Sequence, residues 1–302
     1  MIVEASHLNM WYGRVIALND LTLSIDRGIT GLLGPNGAGK TSFMRIVIGL
    51  MQESGGSLQV LGERPWNRPS LSVRIGYCPE HDGFYEWMSG REFVGSLARL
   101  RGIARPAQAA AEALERVRLT EVADRKVATY SRGMRQRLKL AQCIVHTPEL
   151  LVLDEPLTGA DPLVRQELIG LIKSFAAEGR SVLVSSHVLH EIEQLTRRIV
   201  LIHRGRLVAE GDIRDIRGLI DRHPHTVRVG TERPRELAAI LAGLPEVVEL
   251  RLEPDALWVR TPKPDAFYSA LPRLALENHC PVSTIDSPDD TLEAVFRYLT
   301  EA

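Results

Sequence analysis

Lysine is scarce in this chain of 302 residues: five are present against 32 arginines. A lysine at a motif position is therefore seldom an accident here. Cysteine is scarcer still. Cys78, Cys143 and Cys280 stand far apart with no C-x-x-C pair, which excludes a disulfide framework or a zinc site and fits a reduced compartment. Long apolar runs are absent too. Stretches such as Leu150 to Leu153 and Ile199 to Ile202 fall well short of the roughly 20 residues that cross a bilayer. The residues Met1 to His7 carry no basic stretch followed by an apolar one, so no signal peptide is expected. With 44 % hydrophobic and 25 % charged residues, the composition also excludes a disordered chain. A soluble, cytosolic protein of two domains is expected.

The net charge of −1 hides an asymmetry. Residues 219–302 hold 9 basic against 14 acidic side chains, while residues 1–218 hold 28 against 24. Phosphate backbones need clustered cations, so the acidic segment makes a poor nucleic-acid surface and no nucleic-acid partner is expected. Residues 1–27 alternate as antiparallel strands do, over Ile2 to Ala5 and Leu21 to Ile25. Ile29 to Leu33, Leu150 to Leu153 and Ser181 to Ser185 are short apolar strands. Helical stretches over Ser42 to Leu50 and Pro162 to Glu178 lie between them, an alternation that implies a parallel sheet covered by helices. Residues 86–148 read as a helical insertion. After Gly218 the order becomes β-α-β-β-α-β, the split βαβ or ferredoxin-like arrangement, followed by an amphipathic helix over Thr291 to Leu299.

The most informative segment is Gly34-Pro35-Asn36-Gly37-Ala38-Gly39-Lys40-Thr41, a full match to G-x-x-x-x-G-K-[ST]. Its glycines let backbone N–H groups curl around phosphates, and the helix that follows adds its positive dipole end. Lys40 would reach the β- and γ-phosphates, Thr41 would ligate Mg²⁺, and Ser42 would add a further phosphate donor. At this chain's own residue frequencies a chance match is on the order of 0.3 %. The apolar strand before it and the helix after it are also present. Nucleotide binding follows.

Further along, Leu150 to Leu153 ends in Asp154-Glu155-Pro156. Two acids after a strand also serve as a capping turn, but beside a phosphate loop in the same α/β core they have a second use. Asp154 would hold Mg²⁺ through water, and Glu155 would polarise an attacking water as general base. The strand Ser181 to Ser185 leads to Ser186-His187. A lone histidine is usually structural, yet this one ends a parallel strand at the same sheet edge, within reach of a γ-phosphate.

This set resembles the ATP-binding cassette (ABC) ATPases over residues 1–218, and five more segments fit in the family's order. Trp11-Tyr12-Gly13 resembles the A-loop, in which Tyr12 would stack on adenine. Ile75 to Glu80 resembles the Q-loop, Tyr130 to Arg137 the signature segment, Thr158 to Pro162 the D-loop, and Ser185 to His187 the H-loop. The resemblance implies an α/β P-loop fold: a RecA-like core, an antiparallel β subdomain and a helical subdomain. It implies ATP and Mg²⁺ as ligands, with Glu80 as a further metal contact. It also implies a homodimer or heterodimer of cassettes, in which Ser131 and Gly133 engage the partner's ATP, and separate transmembrane permease subunits. The chain would then sit on the cytoplasmic face of the membrane.

Glu80 stands where glutamine is usual, Arg132 and Met134 replace residues that are often glycine and glutamine, and Ala160 replaces the usual leucine. The Tyr-x-Pro-Glu and Tyr-Ser-x-Gly-Met patterns resemble the subgroup serving ABC-2-type export permeases. Its members often carry a small C-terminal domain, for which a dimerising or regulatory role is preferred here. His223, His225 and His279 could suggest a metal, but the His223-Pro224-His225 pair has no acid or cysteine at ligand spacing beside it, and no metal is assigned. A soluble cassette acting on ribosomes or DNA is the rival reading. The single uninterrupted cassette and the acidic tail weigh against it.

Overall fold

The computed structural model describes residues 1–214 and 224–287 of the chain. Two compact units form, Met1–Asp212 and Ile213–Ala302. The boundary expected at 218, His223 and the helix expected over 291–299 lie outside the described residues.

The first unit opens with a three-stranded antiparallel sheet. β1 (Val3–Tyr12) pairs with β2 (Val15–Ile25) on one side and with β4 (Gly55–Val60) on the other. Val3 and Ala5 point into the core, and after His7 the inward face passes to Leu8 and Met10. His7 is an extra residue with φ 48, and the pairing register slips between Ala5 and Leu8. This β-bulge moves the apolar face from odd to even positions.

A second sheet has the spatial order β5 (Ile75–Cys78), β6 (Leu150–Leu153), β7 (Ser181–Ser186), β3 (Ile29–Leu33), β8 (Arg198–His203) and β9 (Arg206–Asp212). The first five strands are parallel, and β9 returns antiparallel to β8. All four residues of β6 and all six of β7 are buried. Strands covered on both faces read as continuous apolar runs, which is why both were visible in the sequence. Helix α1 (Lys40–Val47) buries Phe43, Met44, Ile46 and Val47 completely, in one cluster with Leu18 and Leu21 of β2, Leu32 of β3, Leu150 and Val200. Each such side chain contributes about 1.5–3 kcal/mol, so the helix carrying the phosphate loop is fixed on two sheets at once. Gly49, with φ 73, turns the chain out just beyond α1.

Short helix α2 (Pro69–Ser72) precedes β5. Between β5 and β6 lie α3 (Gly90–Leu100), α4 (Pro106–Arg116) and α5 (Arg132–Ile144), with no strand among them. A capping box opens α3: Glu92 N–H donates to Ser89 Oγ at 3.1 Å, and Ser89 N–H to Glu92 Oε2 at 2.8 Å. After β6 and β7 come α6 (Pro162–Ala177) and α7 (Leu189–Leu195) respectively, completing the βαβ alternation.

In the second unit, β10 (His225–Thr231), α8 (Pro234–Leu241), β11 (Glu249–Leu252), β12 (Ala256–Thr261), α9 (Pro264–Glu277) and β13 (Val282–Asp286) follow in turn. The antiparallel sheet order β11-β12-β10-β13 is that of the split βαβ fold. Val227, Val229, Leu257 and Val259 turn one sheet face onto Leu237, Leu241, Phe267 and Leu271 of its helices.

Next to β5, His146 Nε2 lies 3.0 Å from the Ile75 carbonyl oxygen. Burial, reinforced by the Arg101 charge, pushes the imidazole down from 6.5 to about 4. A group depressed in the folded state contributes stability that is fully present above 6.5 and is lost as the pH falls. Between 6.5 and about 4, the unfolded chain takes up a proton that the folded chain refuses. Denaturant midpoints should therefore drop across that window, by at most about 1.4 kcal/mol per pH unit for one group. The His146→Gln variant should show a shallower drop than the wild type.

Candidate functional site

β3, β6 and β7 are neighbours and parallel, so their carboxyl ends share one edge of the sheet. Ligands of open α/β sheets gather at such an edge. The glycine loop leaves β3 there, Asp154 and Glu155 follow β6, and His187 follows β7.

The loop closes through two demanding backbone positions. Gly39 caps α1 in the left-handed region at φ 107, and a Cβ on it would lie 2.5 Å from the Ala17 carbonyl oxygen. Gly34 has no room either, since its Cβ would meet the Ile202 carbonyl oxygen at 2.4 Å. The chain thus passes close to β2 and β8 while its amides stay available at the start of a helix. A cleft of about 390 Å³ opens over the loop. Pro35, Asn36, Gly37, Ala38, Gly39, Lys40, Thr41 and Ser42 line it, together with Tyr12, Glu80 and Glu155. This is the size range of small-molecule sites.

Lys40 and Glu155 are each 6 % exposed. Lys40 Nζ donates to the Gly34 carbonyl at 2.6 Å and the Pro35 carbonyl at 3.3 Å, and pairs with Glu155 Oε1 at 3.2 Å. Glu155 Oε2 accepts from Thr158 Oγ1 at 3.0 Å and lies 2.9 Å from His187 Nδ1. The Glu155 backbone has φ 47, a strained value for a residue with a side chain, held here by its surroundings. Asp154 is fully buried and accepts from Ser185 Oγ through Oδ1 at 2.7 Å. Among the described residues its Oδ2 has no partner. A buried carboxylate oxygen left over at this edge is a hard oxygen donor, and it fits Mg²⁺.

Tyr12 stands at the cleft with its hydroxyl 3.3 Å from Ser42 Oγ and donating to Met51 Sδ at 3.0 Å. Ser131 and Gly133 do not line this cleft. Ser131 is exposed at the start of α5 and caps it, accepting from Met134 N–H at 3.3 Å. The signature and D-loop segments meet within one chain: Arg132 donates to the Gly159 carbonyl at 3.2 Å, and Gln136 to the Thr158 carbonyl at 3.1 Å.

A family model described as ABC transporter matches residues 18–158. The daunorubicin/doxorubicin resistance ATP-binding protein DrrA of Streptomyces peucetius is 33 % identical over 304 residues, covering 99 % of this chain and 92 % of that protein. The chain belongs to the ABC transporter family. It is the ATP-binding, ATP-hydrolysing subunit of such a transporter, as sequence and fold led us to expect. The Nod factor export ATP-binding protein I of Cupriavidus pinatubonensis is 35 % identical over 269 residues, covering 87 % of this chain and 82 % of its own length. Among solved structures, the ATP-binding subunit of an ABC transporter superposes with a TM-score of 0.65 at 29 % identity, over 73 % of this chain and 93 % of the other. A dimeric cassette in a post-hydrolysis state, bound to ADP and Pi, shares the fold at a TM-score of 0.65 and 19 % identity.

The contacts of three buried or half-buried polar side chains escaped the sequence. Ser185 bridges the acids that follow β6. Lys139, 1 % exposed, donates to the Glu80 carbonyl at 2.7 Å and lies 3.6 Å from Asp82 Oδ1, so α5 grips the loop whose Glu80 side chain lines the cleft. Arg135 adds Glu86 at 2.9 Å and Asp82 at 3.5 Å. Ser185 and Arg135 lie inside the H-loop and signature segments, but nothing in the sequence marks their partners, and Lys139 lies outside any motif. Among the described residues no helix is long and apolar enough to cross a membrane.

The close approach at Gly39 yields a direct test. Gly39→Ala should combine an unfavourable φ with a backbone clash, lowering stability by about 1–3 kcal/mol. Equilibrium binding of a fluorescent ATP analogue should weaken by about tenfold or more, since the amides that face phosphate would be displaced. Retained affinity would exclude the loop as the phosphate cradle.

Proposed function

We propose that this cassette binds Mg-ATP in the cleft over residues 34–42 and hydrolyses it to drive an export permease. The observation that carries the reading is the joint position of Lys40, Asp154, Glu155 and His187 at one sheet edge beside a glycine loop. Tyr12 stacks on adenine. The loop amides of residues 34–41, Lys40 and Ser42 take the phosphates, which gives Lys40 a new anionic partner in place of Glu155. Thr41, Glu80 and Asp154 hold Mg²⁺. When held by these residues, Mg²⁺ would supply positive charge against the phosphates.

Glu155, released from Lys40, accepts a proton from the attacking water as the oxygen of that water bonds to the γ-phosphorus and ADP leaves. His187, 2.9 Å from Glu155 at Nδ1, holds that carboxylate and contacts the γ-phosphate. Ser131 and Gly133 lie away from their own cleft and engage the nucleotide of a second cassette, so two chains sandwich two ATP molecules. That second chain is a copy of this one or a related cassette.

The permease supplies the membrane path, and the cassette works from the cytoplasmic face. Export is the direction in the names of relatives for daunorubicin/doxorubicin resistance and Nod factor export. Tyr85, within the Asp82 to Glu86 segment that α5 holds, and Trp87, just after it, are 61 % and 71 % exposed, which suits a docking face for a permease segment. Residues 1–218 form the cassette domain and 219–302 an accessory domain with a dimerising or regulatory role.

Glu155→Gln keeps the shape of the site and removes the base. ATP turnover should fall by about 10²–10⁴-fold while ATP binding persists. Wild-type turnover in this variant would exclude Glu155 as the base. The purified protein should be retained by membranes that contain its permease and not by ribosomes or DNA. The reverse pattern would overturn the transporter assignment of its partner.

A further inference from the structure

The strand before His187 carries a hydroxyl that the hydrolytic scheme does not use. Ser185 is fully buried, and its Oγ sits between the two acids that follow β6. It donates its single proton to Asp154 Oδ1 at 2.7 Å and accepts the Glu155 N–H at 2.9 Å. Each bond has a consequence. With Oδ1 engaged, the carboxylate plane of Asp154 is fixed and Oδ2 is the oxygen left without a partner. With its amide held, Glu155 keeps the strained φ of 47 that aims its side chain at Lys40, Thr158 and His187. β6 and β7 pair in parallel up to Leu153 and Val184, so Ser185 comes level with the first residue beyond β6. An apolar residue there would leave two buried polar groups unpaired, each costing about 1–3 kcal/mol.

We propose that Ser185 is a positioning residue for both acids: it presents Asp154 Oδ2 to the cation and fixes the backbone of Glu155. The cation half rests on the reading that Asp154 holds Mg²⁺. Groups that orient a ligand from behind typically change metal affinity by 10–100-fold when removed.

The test uses the full chain with a non-hydrolysable ATP analogue and Mn²⁺ as a paramagnetic stand-in, read by electron paramagnetic resonance titration. Ser185→Ala should weaken Mn²⁺ binding to the protein–nucleotide complex by about tenfold, while metal-free nucleotide affinity stays within about twofold. Ser185→Thr keeps the hydroxyl and should restore Mn²⁺ affinity to within about threefold of wild type. Should Ser185→Ala prove too unstable, Ser185→Cys keeps the shape with a weak S–H donor and is expected to lie between Ala and wild type. Asp154→Asn separates the two readings. If it weakens Mn²⁺ binding and a folded Ser185→Ala or Ser185→Cys does not, the positioning role is overturned and the metal role of Asp154 stands. If neither substitution weakens it, both readings fail.

Discussion

A buried ammonium and a buried carboxylate, Lys40 and Glu155, lie 3.2 Å apart at the carboxyl edge of the central sheet. Removing one partner from such a pair typically costs 3–5 kcal/mol, because the other is left charged and unpaired. Much of the first unit serves to bring these two together. Lys40 starts a helix clamped between two sheets, and Glu155 follows a strand buried on every side. The pair is far from isolated: two loop carbonyls share Lys40, and Thr158 and His187 share Glu155. A site so saturated with internal bonds can accept an anion only by exchanging them, which ties phosphate binding to a rearrangement of the acid beside it.

The fold and the site were legible to different depths. The phosphate loop announces itself because every one of its constraints is local: left-handed glycines, a helix start, one lysine in a chain that has five. The acids after β6 and the histidine after β7 could be placed on one edge because parallel strands put all their carboxyl ends together. The split βαβ order was legible from short elements whose apolar faces alternate. The bulge at His7 left no signal before the pairing register was seen, since one extra residue in an alternating strand looks like noise.

Side-chain bonds across long separations were beyond reach for another reason. Ser185 lies 31 residues from Asp154, and Lys139 lies 59 from Glu80. Sheet order creates the first contact and the packing of α5 creates the second. A serine in an apolar strand, like a lysine on a helix with apolar neighbours, reads as a tolerated exception until its partner is known. Both are buried polar groups, and buried polar groups are kept where something pairs with them.

The two bonds between α5 and the D-loop carry a mechanical meaning. Arg132 and Gln136, one and five residues beyond Ser131, hold the carbonyls of Gly159 and Thr158. The Thr158 hydroxyl in turn holds Glu155. The start of α5 is therefore linked to the acid at the sheet edge through Thr158, by the Gln136 bond to its carbonyl and the bond of its hydroxyl to Glu155. Any coupling between binding at the exposed start of α5 and binding in the cleft would have to be reciprocal. The D-loop is the element common to both: it accepts from α5 on one side and holds Glu155 on the other.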